Sequence, residues 1–370
     1  MGTAFGGSAM NEHEEPLVSV IVPVYNVRPY LNRCLASVAG QTHRRLQVVL
    51  VDDGSTDGSG SLCDEWAKRD GRFTVLHRRN AGIAVTRNVG MDAAVGEYVC
   101  FVDGDDYAEP TMVATMVAAA RRSDAQIVMC AYRTVAYDRG AYAERSARNG
   151  TVDFTARDNR AVAAMFVPLM RCGMVNPMWG KLFDRDFLDG HRVDEGFVAG
   201  GDGVFMYRLF ERAARVTAIP DVLYDYVVRE HSLSGGDFHP GLFGSRERAY
   251  LEQHAILERW NREAIGERDR EFLHDVDVCV NSLYGGACTL PAAERLACLR
   301  RVADSSATAL CIGRVRPIGV RGRLLTMLLH RRSVGLLLGY GMAVGYAKRL
   351  RAAVRNVSNV RGKRQQGGRR

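Results

Sequence analysis

Apolar and polar positions run in alternating blocks over the first hundred residues of the chain. Leu17–Tyr25 is an apolar run rich in valine and isoleucine, broken only by Ser19 and Pro23. Leu46–Val51, Phe73–His77 and Tyr98–Val102 form three more short strand-like runs. Between them the apolar spacing becomes helical, from Pro29 to about Ala39, from about Gly58 to Arg69 and from about Ile83 to Ala94. Short β-branched runs separated by helices predict a βαβαβαβ series, an α/β fold with a parallel sheet covered on both faces. On such a sheet, ligands bind beyond the carboxyl ends of the strands.

The pattern then changes. A helix is expected from about Ala156 to Met170, another from about Asp202 to Ala214, and a short strand pair around Val216–Val227. From about Pro240 to Asp304 the spacing is helical throughout, and no internal repeat is visible. These shifts divide the chain into a disordered N-terminus (1–15), an α/β domain (16–235), a helical region (236–310) and a basic tail (311–370). The last ten residues, Arg361–Arg370, are low-complexity and basic, and are expected to be disordered.

Charge sharpens this division. The formal net charge is +8, yet no acidic residue follows Asp304, and the segment after it holds 15 of the 50 Lys and Arg. The preceding part is therefore mildly acidic, and the basicity belongs to the tail. Met1–Glu15 has no apolar core of a signal peptide. No run reaches the roughly 18 apolar residues of an ordinary transmembrane helix; the best candidate, Val334–Ala347, is short and contains four glycines. The nine cysteines form no CxxC pair, and Cys34, Cys100 and Cys130 lie in apolar runs. Reduced core thiols and a reducing compartment are expected rather than disulfides or zinc.

Three strand ends carry unusual polar chemistry. The first ends in Pro23-Val24-Tyr25-Asn26 and the second in Asp52-Asp53-Gly54-Ser55-Thr56-Asp57. A carboxylate there can accept a nucleobase N–H, and a tyrosine ring can stack on the base. Turn chemistry with a helix cap at Asp57 explains the same residues. The fourth strand ends in Asp103-Gly104-Asp105-Asp106. Three carboxylates in four residues repel one another beside a buried strand, and a cation would neutralise them. Hard oxygen ligands suit Mg²⁺ or Mn²⁺ bridging to substrate phosphates. Arg87, on the third helix, can hold a diphosphate or pair with these carboxylates.

Taken in order, the run VSVIVPVYNVRPYLNRCLASVAGQTHRRLQVVLVDDGSTDGS and the run AGIAVTRNVGMDAAVGEYVCFVDGDDYAEP resemble the opening and centre of a family 2 glycosyltransferase. The resemblance covers about residues 17–235. It implies the GT-A (Rossmann-like nucleotide-diphospho-sugar transferase) fold with a C-terminal helical region, an inverting mechanism, and a Mn²⁺ or Mg²⁺ cofactor. By the family pattern Pro23, Tyr25, Asn26 and Asp53 lie at the nucleotide, with Tyr25 and Asp53 on the base. Asp103, Gly104 and Asp105 flank the sugar diphosphate and metal, and Asp105 is the closer metal ligand. Trp179-Gly180-Lys181-Leu182-Phe183 resembles the family's W-N-K-L-[FY] segment, and Gly200-Gly201-Asp202 stands where the family has G-E-D. Gly180 and Gly201 depart from that pattern. Asp202 is then the base that deprotonates the acceptor hydroxyl, and Trp179 and Lys181 fall in the acceptor region, although Trp179 serves equally as a core anchor. Arg229-Glu230-His231-Ser232-Leu233-Ser234 resembles the closing segment, placing Arg229 at the diphosphate and His231 near the metal.

The expected activity is sugar transfer from a nucleotide-diphosphate sugar, by default a UDP-sugar, to a glycan or lipid-linked acceptor in surface polysaccharide biosynthesis. A non-catalytic nucleotide-sugar-binding protein is the alternative that Gly180 and Gly201 allow. Arg314–Arg355 mixes basic clusters with apolar pieces such as Leu324–Leu329. That suits a helix lying on an anionic membrane at the cytoplasmic face, or a helical subdomain with a solvated basic face. With few aromatics for base stacking, the tail is not expected to bind nucleic acid.

Overall fold

A computed structural model of the chain describes residues 15–138, 141–149, 152–228, 238–285 and 288–347. Of the expected disordered ends, residues 1–15 and 361–370, all but Glu15 lie outside the described residues, as do Arg229 and His231.

The first hundred residues fold as β1 (Val18–Val24), α1 (Arg28–Ala39), β2 (Leu46–Asp52), α2 (Ser59–Arg69), β3 (Phe73–His77), α3 (Ile83–Ala93) and β4 (Tyr98–Phe101). β1 pairs in parallel with β2 and β4, and β2 with β3. Successive strand side chains point to opposite faces. Val18, Val20, Val22 and Val24 therefore enter one core with Leu31, Leu35 and Leu62 of α1 and α2. Ile21, Val99 and Phe101 enter a second core on the other face with Ala84 of α3. This two-sided burial is why the strands read as unbroken apolar runs.

The chain continues through β5 (Tyr107–Ala108), α4 (Met112–Ser123), β6 (Ile127–Asp138), β7 (Ala141–Asn149), β8 (Phe154–Ala156), α5 (Asn159–Arg171), β9 (Lys181–Asp184), α6 (Arg185–Leu188), α7 (Gly201–Arg212) and β10 (Val216–Val228). One ten-stranded sheet runs β3-β2-β1-β4-β9-β6-β10-β5, with β7 beside β6 and β8 beside β10. The sheet is mixed rather than wholly parallel, because β9 is antiparallel to both β4 and β6. The expected strand pair at 216–227 is a single strand, β10, parallel to β6 with register shifts after Ile219. Pro220 has no N–H to give the ladder, so the chain bulges there instead of turning back. α5 starts later than expected because Phe154–Ala156 is taken up as a strand against β10, and Asp158 then caps the helix by accepting from the Ala161 N–H.

Beyond the sheet come α8 (Leu242–Trp260), a 3₁₀ turn (Arg262–Ala264), α9 (Ile265–Ser282), α10 (Ala292–Asp304), α11 (Ser306–Ile312), α12 (Gly319–His330) and a helix over residues 334–347. They share one core in which Tyr250 stacks on Phe272 at 4.1 Å, joined by Leu299, Leu325, Leu329 and Leu337. All nine cysteines are free thiols. Among the described residues no helix is long and apolar enough to cross a membrane.

Candidate active site

The carboxyl ends of β1 and β2 are tied together by side chains that accept backbone N–H groups. Asn26, with a positive φ of 50°, accepts from Thr56 N at 2.8 Å. Asp57 accepts from Arg28 N at 2.9 Å and from Ser59. Asp52 is a turn residue, holding Ser55 N and the His77 ring. His77 lies between Asp64 and Asp52, whose hydrogen bonds, and then charges, hold its imidazole above its usual pKa. Asp53 is buried, and its two oxygens accept from Ala81 N at 3.0 Å and Gly82 N at 2.8 Å. It thereby pins the loop that leads into α3. Tyr25 is half exposed at the rim.

At the end of β4 the three aspartates have different fates. Asp106 is buried; its carboxylate accepts from the Tyr224 hydroxyl at 2.8 Å and from Val227 N at 2.7 Å. Burial, and then the charges of Asp105 and Asp103, hold its carboxyl well above the usual range. Asp106 is thus a tie between the β4 end and β10. Asp103 and Asp105 are only half buried. Gly104 between them packs so closely on β1 that an added Cβ would lie 2.9 Å from the Pro23 carbonyl oxygen. That contact leaves no room for a side chain at position 104.

Arg87 organises the centre. Its guanidinium is 5% exposed and donates to Asp103 Oδ1 at 3.2 Å, while its other terminal nitrogen lies 3.7 Å from Asp202 Oδ2. Burial alone would lower the Arg87 pKa, but the charges of Asp103 and Asp202 outweigh it and hold the pKa above its usual value. Asp202 sits in the first turn of α7, after Gly200 at a φ of 85°. An added Cβ at Gly201 would lie 2.9 Å from the Phe197 side chain, so the family's glutamate has no room here without a shift of that ring.

Arg87 and Asp202 open onto one cleft of about 1090 Å³, lined with them by Tyr25 on the sheet side and by Arg246, Glu271 and His274 on the helical side; Asp53, Asp103 and Asp105 are not among its lining residues. The acceptor candidates lie elsewhere. Lys181 on β9 is buried and donates to the Pro177 carbonyl at 2.5 Å. Burial brings its pKa down to about 7, against the partial opposition of Cys130 and Asp202. Trp179 is half buried and stacks on Tyr224 at 4.7 Å and Tyr226 at 5.3 Å. Neither lines the cleft.

Several contributors escaped the sequence reading. Tyr224 joins Asp103 N and Asp106 from β10, a contact across the sheet that no local pattern signals. Arg78 lies 3.5 Å from Asp53, and its Nη1 is buried with no hydrogen-bond partner. Buried N–H groups without partners are rare and mark a place for a ligand oxygen. Its position one residue past β3, beside the Asp53 strand end, was the available signal. The whole helical wall was missed, because its polar residues read as solvated helix faces.

The donor set also suits a divalent ion. Among the described residues no group of three or more His, Cys, Asp or Glu could hold a metal. Mg²⁺-type ions use one or two carboxylates, with phosphates and water completing the shell. Asp103 and Asp105 meet that requirement.

Comparison with known proteins gives the same picture. Residues 19–175 match the model of "Glycosyl transferase family 2". The chain is 30% identical over 285 residues to EpsJ, an uncharacterized glycosyltransferase of Bacillus subtilis, covering 75% of this chain and 79% of that protein. It is 31% identical over 234 residues to the glycosyltransferase GlyG of Streptococcus pneumoniae, covering 60% and 74%. In fold it is similar to S. aureus TarS 1-349 in complex with UDP-GlcNAc, with a TM-score of 0.59 and 19% identity over 90% of this chain and 92% of that one. The fold is GT-A, and the chain is a glycosyltransferase that belongs to family 2.

Proposed function

We propose that this glycosyltransferase moves a sugar, with inversion, from a UDP-sugar to a hydroxyl of a glycan or lipid-linked acceptor in surface polysaccharide synthesis. The observation that carries this reading is the Arg87 bridge, which ties Asp103 at the end of β4 to Asp202 in the cleft. In the related fold of TarS the bound donor is UDP-GlcNAc.

In this reading Tyr25 and Asp53 contact the base, with Pro23 and Asn26 shaping the loop beneath it. The Arg78 N–H groups face donor oxygens. Asp105 and Asp103 would hold Mn²⁺ or Mg²⁺, which would neutralise charge on the diphosphate. Arg229 and His231 are proposed to approach the diphosphate from the segment that follows β10. The acceptor oxygen attacks the anomeric carbon and its proton passes to Asp202. The bond from that carbon to the phosphate oxygen breaks, and its electron pair leaves with the nucleoside diphosphate. Arg87 keeps the Asp202 carboxylate oriented toward the cleft. Trp179 and Lys181 support the acceptor side from behind rather than touching the sugar. The basic tail holds the enzyme at the cytoplasmic face of the membrane.

A panel of UDP-, GDP- and dTDP-sugars with Mn²⁺ or Mg²⁺, read by nucleoside diphosphate release, tests the donor. Preference for a GDP- or dTDP-sugar would replace the UDP assignment, and full turnover in excess chelator would remove the metal.

A further inference from the structure

The end of the described chain presents an apolar face that no other described residue covers. α12 buries Leu325, Leu328 and Leu329 in the helical core. Its opposite side carries Val320 (83% exposed), Leu324 (39%) and Met327 (46%). At 3.6 residues per turn these three lie on one stripe with Arg331. In the following helix Leu337 and Tyr340 face the core, while Met342 and Tyr346, one turn apart, are exposed on the far side and Leu336 is exposed on the flank. Ile318, at the start of α12, is 78% exposed and also lines the cleft that holds Arg87 and Asp202.

Charge says what covers this face. Arg316, Arg323, Arg331 and Arg332 flank the stripe and are exposed. No acidic residue follows Asp304 anywhere in the chain. An apolar stripe with a purely cationic border matches an anionic lipid surface, in which apolar side chains enter the acyl boundary and guanidinium groups meet phosphates. A second copy of the chain would have to bring the same cationic border against itself.

We infer that the outer faces of α12 and the 334–347 helix dock on an anionic bilayer, with the mouth of the catalytic cleft opening beside it at Ile318. The acceptor is then a glycan carried on a membrane lipid, presented to Asp202 from the bilayer surface. The acceptor part rests on the proposed sugar transfer, whereas the docking part stands independently of it.

The test uses the full chain and vesicles of phosphatidylcholine with or without phosphatidylglycerol. Binding is expected to require phosphatidylglycerol, to weaken as salt rises, and to fall by roughly tenfold or more in the triple variant Val320→Ser, Leu324→Ser, Met327→Ser. UDP binding by that variant should stay unchanged, which shows that it folds and separates docking from the donor assignment. In a second arm, the Ile318→Trp variant should be quenched by brominated lipid beyond the quenching of the wild-type tryptophans. Vesicle binding that ignores the triple change, or bound Ile318→Trp protein quenched no more than wild type, would assign membrane contact to residues beyond 347 and overturn the cleft geometry. Concentration-dependent dimers that the triple change abolishes, without vesicle binding, would make a second copy the occupant.

Discussion

The strand ends and the helical wall face each other across the same cleft, and both bury charge, but they balance it differently. On the wall, acids and arginines are nearly matched. Arg268, buried, lies 3.5 Å from Asp275 and 3.6 Å from Glu271; Arg246 holds Asp275 at 2.5 Å, and Glu267 takes Arg171 and Arg270. At the strand ends one buried arginine, Arg87, serves both Asp103 and Asp202, with Asp105 close by. A self-neutralised network holds a wall in place. An excess of carboxylate charge awaits cations and protons supplied by the reaction.

The comparison can be broken first at Asp105. Asp105→Ala should lower transfer by roughly a thousandfold by removing the proposed metal ligand, with nucleoside diphosphate release as the readout. Activity within a factor of about two of wild type would put Asp105 among the merely structural acids. On the opposite wall, Arg268→Met should leave half-buried Glu271 without its arginine and Asp275 with Arg246 alone. A stability loss of about 1–3 kcal/mol is expected from leaving such a polar group unpaired, measured by denaturant unfolding; an unchanged midpoint would show that the wall is not held by charge balance.

Asp202→Asn keeps the shape of the first turn of α7 but removes the base. Transfer should drop by roughly a hundredfold or more, while calorimetric titration with UDP remains as in wild type. Wild-type turnover with the true acceptor would reduce Asp202 to an ion-pair partner of Arg87 and turn attention to Glu195. Asp53→Ala should weaken UDP binding by about tenfold, one charge-assisted hydrogen bond's worth, and should also loosen the loop at Ala81 and Gly82. An unchanged UDP affinity would confine Asp53 to that loop.

The smallest effect concerns Lys181. Its folded pKa is about 7 against an ordinary 10.5. Between those values the unfolded chain holds a proton that the folded chain releases, so this group makes the fold more stable as pH rises. Lys181→Met should remove that slope. The difference in Tm between wild type and variant should therefore move in favour of wild type as pH rises from about 7 to about 9. A difference independent of pH would mean that Lys181 stays charged beside Pro177.

Much of this architecture was legible in the sequence. β3 was placed to the residue, and β1, β2, β4 and their helices to within one or two residues, because strands buried on both faces leave unbroken apolar runs. The acids at the strand ends stood out against those runs for the same reason. α4 and the long β6–β7 hairpin went unread, and β10 was read as a short strand pair. β10 pairs with β6, far back in the chain, so local spacing there carries little information.

Sequence alone determined the α/β series, the family and the identity of the chemical groups, because periodicity and the order of polar residues after each strand are local properties of a chain. Only the tertiary structure decided what each acid does. Asp106 is committed to Tyr224 and Val227, Asp53 to two backbone amides, and Asp103 and Asp202 share Arg87. Partners 16 to 121 residues apart set these differences, and whether a carboxylate is already satisfied depends on which donors folding brings within hydrogen-bond reach.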